Sequence, residues 1–244
     1  MLPSLIQNHK KQEATAKLKK FNNTINNWLN LAYIDHGNPN YWNCVTGTGY
    51  FCTMSPDEFL NTYFKPYLNI AQITFGDYKI YPKESCNKEN NNPETELIPE
   101  QSLIKTRKIT IGGINQAEGG VSCEQLVYAD TKIVLNDGLI IYIPLKRRPV
   151  TTPVLIDING DKKPNQVGKD RFLFVFAHKT PPEQVCGLHA AKRYFCADGN
   201  VNNQSGMARS RKEALGFCKM NGSLCSLVLE YDNWEFKDDY PWKL

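Results

Sequence analysis

Apolar residues at Ala14, Leu18, Phe21, Ile25, Trp28 and Ala32 recur at gaps of four, three, four, three and four. That rhythm places all six along one line of an α-helix. The stretch before them, Gln7-Asn8-His9-Lys10-Lys11-Gln12-Glu13, is polar on every side and follows a short apolar stub, Leu2-Pro3-Ser4-Leu5-Ile6. A helix of this design reads as the lower part of a longer one, whose upper part lies in a membrane or a filament core. Asp35-His36-Gly37-Asn38-Pro39 ends it, because Gly and Asn accept a left-handed cap and Pro39 lacks the amide needed to continue. The chain therefore divides into a helix over residues 1–36 and a globular head over 37–244.

Beyond the helix the period changes. Ser55-Pro56-Asp57-Glu58 is a helix start, with Ser as cap and Glu placed to close a capping box, and it leads into Phe59, Leu60, Tyr63 and Phe64. Strands are predicted over Ile73–Tyr81, Lys108–Gly112, Leu126–Leu135, Leu139–Ile143, Val154–Ile158 and Phe172–Phe176. Asn136-Asp137-Gly138 turns one hairpin. Short connections without intervening helices favour an antiparallel sheet. Residues 84–102, rich in Asn, Glu, Lys and Pro, read as a surface loop. Two helices close the chain, one over Met207–Met220 and one capped by Ser223 that carries Leu224, Leu227, Val228 and Tyr231. The aromatic tail from Trp234 to Trp242 is expected to pack on the body.

With 244 residues and a net charge of +4 the chain can bury a core, and its scattered lysines do not form a nucleic-acid footprint. No run reaches the roughly 20 apolar residues that span a bilayer. The eight cysteines, Cys44, Cys52, Cys86, Cys123, Cys186, Cys196, Cys218 and Cys225, include no Cys-x-x-Cys pair, which argues against zinc and for disulfides in an oxidising compartment. Their spacing suggests Cys44–Cys52, Cys86–Cys123, Cys186–Cys196 and Cys218–Cys225, although spacing alone leaves other pairings open.

Candidate chemistry is confined to one loop, Asp157 to Asp170. Asp157, Asn159 and Asp161 place oxygens at alternate positions, like the start of a calcium loop, and Asp170 would close a divergent site. Lys162 and Gly168 stand where such loops carry Gly and a bidentate Glu. The alternative is a turn braced by its own Asp and Asn side chains. Calcium is thus the one cofactor suggested, and no enzyme is expected. No nucleophile elbow, zinc-protease motif or phosphate loop occurs, and an even cysteine count leaves no free thiol to pair with His178 or His189. The remaining histidines, His9 and His36, are expected to be solvated. Three Asn-x-Ser/Thr matches, at Asn22, Asn203 and Asn221, carry no assigned role.

Leu2-Pro3-Ser4-Leu5-Ile6 followed by Lys11-Gln12-Glu13-Ala14 resembles the segment just after the hydrophobic, methylated N-terminal helix of bacterial type IV pilins and type II secretion pseudopilins. The Asp157–Asp170 loop and the Trp234…Tyr240-Pro241-Trp242 ending are similar to large Cys-rich members of that group. The family's leading Phe-Thr-Leu-Ile-Glu stretch and apolar run are absent, so the chain reads as truncated at its N-terminus. The resemblance implies an α+β, pilin-like fold: a long N-terminal helix on a four- or five-stranded antiparallel sheet, with short extra helices and disulfide-stapled loops. It also implies a non-catalytic filament subunit, major, minor or tip, of a pilus or pseudopilus. Its partners would be other pilin-like subunits and the assembly machinery. It would be anchored in the inner membrane before assembly and would later lie in a cell-surface or periplasmic filament. Nucleic acid is a partner only in a DNA-uptake fibre. The competing reading is a secreted, disulfide-rich adhesin or ligand-binding module presenting residues 84–102 and the aromatic C-terminal part.

Overall fold

A computed structural model describes residues 2–45, 53–79, 128–146, 152–177, 194–197, 210–222 and 224–241. Helix α1 spans Leu2–His36. All six residues of its apolar line are buried, and Leu29 joins them. A 3₁₀ turn follows at Pro39–Tyr41, capped by the Asn38 side chain. Helix α2, Pro56–Tyr63, carries the full capping box: the Ser55 hydroxyl accepts from the Glu58 amide, and the Glu58 carboxylate accepts from the Ser55 amide.

Six strands then form one sheet: β1 Ile70–Lys79, β2 Tyr128–Leu135, β3 Ile140–Ile143, β4 Thr152–Asp157, β5 Arg171–Phe176 and β6 Phe195–Ala197. Their spatial order is their sequence order, and every neighbouring pair is antiparallel. Register places Ile141, Ile143, Val154, Ile156, Phe172, Phe174 and Phe176 in the main core. The alternate residues Ile140, Tyr142, Leu155 and Leu173 form a second buried cluster with Ala129 and Val167. Both faces are therefore dry over β3 to β5, which explains why these strands read as continuous apolar runs instead of alternating.

Aromatic rings fix α1 to the sheet. Phe21 meets Phe174 at 5.2 Å and Phe195 at 5.8 Å, edge to face. Trp28 lies 4.4 Å from Phe64 and 5.5 Å from Phe176, and its indole N–H donates to the Tyr63 carbonyl at 2.5 Å. One layer of rings thus joins α1, α2 and β5.

Helices α3, Arg211–Asn221, and α4, Cys225–Tyr231, complete the chain. Ser210 caps α3, and Gly222 ends it in the left-handed region at φ 79°. A Cβ there would sit 2.7 Å from the Val167 carbonyl oxygen, so glycine is required sterically as well as conformationally. The cap of α4 is Leu224 at φ 54°, with no side-chain hydrogen bond, and not the Ser223 expected from sequence. The disulfide Cys218–Cys225 clamps α3 to α4. Replacing both cysteines with serine closes no loop in the unfolded chain and is expected to cost roughly 2–3 kcal/mol, read from urea midpoints.

The pilin-like fold class needs correction. Among the described residues the sheet has six strands, in spatial order equal to their sequence order, where four or five were expected. The additional strand, β6, had no sequence expectation; its buried Phe195, Cys196 and Ala197 pair with Phe176, Val175 and Phe174. The disulfide Cys218–Cys225 is the pair expected from spacing, and it closes the short connection between α3 and α4. Cys44 and Cys196 are also disulfide-bonded. Their expected partners Cys52 and Cys186, the Cys86–Cys123 pair, the Lys108–Gly112 strand and the 84–102 loop lie outside the described residues.

Candidate functional site

The Asp157–Asp170 loop joins β4 to β5, whose pairing runs out to Asp157 and Arg171. Asp157 is fully buried and receives the Arg171 Nε at 2.9 Å and the Asn159 amide at 3.2 Å. Burial pushes its carboxyl above the ordinary range, and the arginine only partly offsets that. Asp170 accepts from the Asn165 amide at 2.7 Å, the Gln166 amide at 2.6 Å and the Asn159 side-chain amide at 3.0 Å. Asp161 points away to Lys132 Nζ at 2.8 Å, whose hydrogen bond holds its carboxyl below the ordinary value.

The four side chains that sequence marked for calcium are therefore not convergent. Their carboxylate oxygens already accept from two cations and four N–H donors, so a calcium ion would have to displace Arg171 and Lys132. Two amide oxygens in the loop, Asn159 Oδ1 and Asn165 Oδ1, are buried without a protein partner. Two neutral oxygens are too few for an ion that takes six to eight ligands. Among the described residues no group of three or more His, Cys, Asp or Glu is arranged to hold a metal. Calcium or a chelator is expected to leave the thermal midpoint unchanged, as a calorimetric scan with each would show.

His9 is exposed on α1. His36, the last residue of α1, has a partner that sequence did not reveal. The Tyr67 hydroxyl lies 2.9 Å from His36 Nε2 and donates to Asp35 Oδ2 at 2.8 Å. Desolvation and the Asp35 carboxylate together push the Tyr67 phenol up to about 12, so it remains a donor at any physiological pH. The trio fastens the end of α1 to the segment after α2. His178 and His189 lie outside the described residues.

The aromatic tail is structural as far as Tyr240, and Trp242 lies outside the described residues. Trp234 stacks on Phe174 at 5.8 Å, and the Tyr240 hydroxyl donates to the Gly168 carbonyl at 2.6 Å. Both residues are buried, as is Phe236, so none of the three is displayed to a ligand.

Much of α1 is accessible. Residues 6–13 contribute nothing to the core: Ile6, Asn8, His9, Lys10, Gln12 and Glu13 are exposed, and burial begins at Ala14. At its other end Leu31, Tyr33 and Ile34 are exposed, and Tyr41 beyond it is 84% exposed. No helix among the described residues is long and apolar enough to cross a membrane.

Comparison with known proteins finds a match to a family of unknown function (DUF6613) over residues 4–98, well under half of the chain. That segment takes in α1, α2 and β1. No curated protein and no solved structure matches the chain, pilins and pseudopilins included.

Proposed function

We propose that this chain is a non-catalytic structural subunit that works by assembly through α1, in an extracytoplasmic filament of the pilus or pseudopilus kind. The observation that carries the reading is the helix geometry. Helix α1 continues as regular helix through residues 6–13, where it has no core to pack against. A short polar helical segment is marginal in water, and most helical stability in proteins comes from packing. A helix extended beyond its own domain is therefore suited to packing against another molecule. The bonded Cys44, Cys196, Cys218 and Cys225 support an oxidising compartment. The sequence resemblance over residues 1–36 supports a filament.

The test is an in-cell photo-crosslink from position 8, which is exposed. A ladder of multiples of the chain is the expected result. A single adduct of different mass would favour the ligand-binding module, and monomer alone would overturn assembly through this segment.

A further inference from the structure

Lysines that lie far apart in the sequence gather at one end of the head. Glu13 pairs with Lys17 at 2.8 Å. That lysine, chiefly by its hydrogen bond, holds the Glu13 carboxyl below the ordinary value, and His9 and Lys162 add to the effect at longer range. The β4–β5 loop therefore lies beside the polar start of α1 and brings the exposed Lys162 and Lys163 with it. Next to it, Lys20 pairs with Asp137 at 2.9 Å and Lys132 with Asp161 at 2.8 Å. The three acids here are each engaged. Lys10, Lys11, Lys162 and Lys163 have no counter-ion among the described residues, and residues 2–12 contain no acid.

Beyond these lysines the first turns of α1 carry Leu2, Leu5 and Ile6, and Ile6 is 52% exposed. The geometry points to this end of the molecule, where Lys10, Lys11, Lys162 and Lys163 surround the helix, as a docking surface for the anionic phospholipid headgroups of a bilayer. The inference goes beyond the assembly reading. It concerns the dispersed chain, before any neighbour packs on residues 6–13, and it stands whether or not a filament forms.

The match is one of depth as well as charge. From Ile6 to Lys10 the helix rises about 6 Å. A headgroup layer is about 5–8 Å deep on each side of the hydrocarbon. Ile6 at the edge of the hydrocarbon therefore sets Lys10 and Lys11 among the phosphates. Lys162, beside Glu13, then lies roughly one helical turn further out, within a Debye length of about 8–10 Å. Lysine suits this place, because its aliphatic stem can lie along apolar chains while the ammonium stays with the headgroups. Each lysine near an anionic surface strengthens binding roughly five-fold, and salt screens the effect.

Other occupants fit less well. A nucleic acid gains nothing from aliphatic residues beyond the cations; it is held by a basic groove with aromatic side chains for its bases. A second copy would have to offer an acidic surface of equal size, yet Glu13, Asp137, Asp161 and Glu235 are already paired.

The test is sedimentation of the whole chain with vesicles of phosphatidylcholine alone or of equimolar phosphatidylcholine and phosphatidylglycerol. The wild type should bind the mixed vesicles, more weakly as salt rises, and leave the neutral ones free. K162Q/K163Q, changed at two exposed positions, should keep the wild-type melting temperature and bind at least about ten-fold more weakly. K65Q/K212Q removes the same charge from exposed positions after α2 and on α3, and should bind as the wild type does. A wild type that ignores the mixed vesicles overturns the inference. So does an equal loss in both double variants, since net charge and not a defined surface would then be acting. Tighter binding to a short DNA duplex than to the vesicles, lost in K162Q/K163Q, would make this a nucleic-acid surface and overturn the lipid assignment. Vesicle binding by a chain that gives no position-8 ladder keeps this surface and removes the filament reading, and a ladder without vesicle binding does the reverse.

Discussion

Replacing Trp28 with alanine is expected to take away most of the stability of the fold. The indole is 1% exposed and sits where α1, α2 and β5 meet, between Phe64 and Phe176. Truncating a buried aromatic of this size costs about 3–5 kcal/mol, since the surrounding rings, Phe64 and Phe176, are held by separate elements and cannot both move in. The Tyr63 carbonyl loses its donor as well, at a further 1–3 kcal/mol or so if it stays dry. Domains are commonly stable by only about 5–15 kcal/mol, so the variant should be largely unfolded at modest urea. Gln12→Ala, on the projecting half of the same helix, should shift the urea midpoint by the equivalent of less than about 0.5 kcal/mol. If both variants melted alike, α1 would not be docked by its aromatic line.

Arg211→Met is the second large effect, and its pH dependence identifies the cause. Asp232 is buried, with Arg211 donating through Nε and Nη2 at 2.6 Å each and Lys237 Nζ at 2.7 Å. The same guanidinium makes a paired contact with Asp239 at 2.7 Å. The network ties the start of α3 to the tail after α4. Burial acts to raise the Asp232 carboxyl, but the hydrogen bonds from Arg211 and Lys237 outweigh it and hold it below the ordinary value. Arg211 holds Asp239 low too, chiefly by hydrogen bonding. Removing the arginine strands a buried carboxylate with one remaining cation, which should cost about 3 kcal/mol near neutral pH. Carboxyls held low in the folded state add stability above their unfolded value of about 3.9, and that stability is lost as pH falls through the folded value. The gap between variant and wild type in urea midpoint should therefore narrow below about pH 4. A gap independent of pH would mean that packing of the arginine stem, and not its charge, is what matters.

Much of the secondary structure was legible because it rests on local chemistry. The spacing of Ala14 to Ala32 marked the buried line of α1, Ser55 and Glu58 marked the start of α2, and Asn136-Asp137-Gly138 marked the β2–β3 turn. β6 carries no sequence signal because three residues, followed by Gly- and Asn-rich sequence, show no period; only pairing with β5 makes Phe195–Ala197 a strand. Serine is a good cap, so sequence points to Ser223 as the start of α4, whereas the chain enters through Leu224 in the left-handed region.

The loop between β4 and β5 illustrates a different limit. Oxygens at alternate positions are equally suited to a metal and to backbone bracing, and the residues that decide between them, Arg171 and Lys132, lie outside the motif. The Asp35–Tyr67–His36 trio was invisible for the same reason: Tyr67 lies 32 and 31 residues beyond Asp35 and His36 and reaches them only when the segment after α2 packs on the end of α1. The pilin-like architecture was inferred by analogy from the N-terminal helix, and a helix of that design places little constraint on the number of strands in the sheet behind it.

The central claim is that the undocked half of α1 is the element of assembly. Amide hydrogen exchange, resolved along α1, tests it on assembled material recovered from producing cells and on the dispersed chain. Residues 14–32 should be protected in both, since their face is already buried in the head. Amides of residues 7–13 should exchange rapidly in the dispersed chain and slow by at least about ten-fold in the assembly. Equal rates for residues 7–13 in the two states would contradict the account.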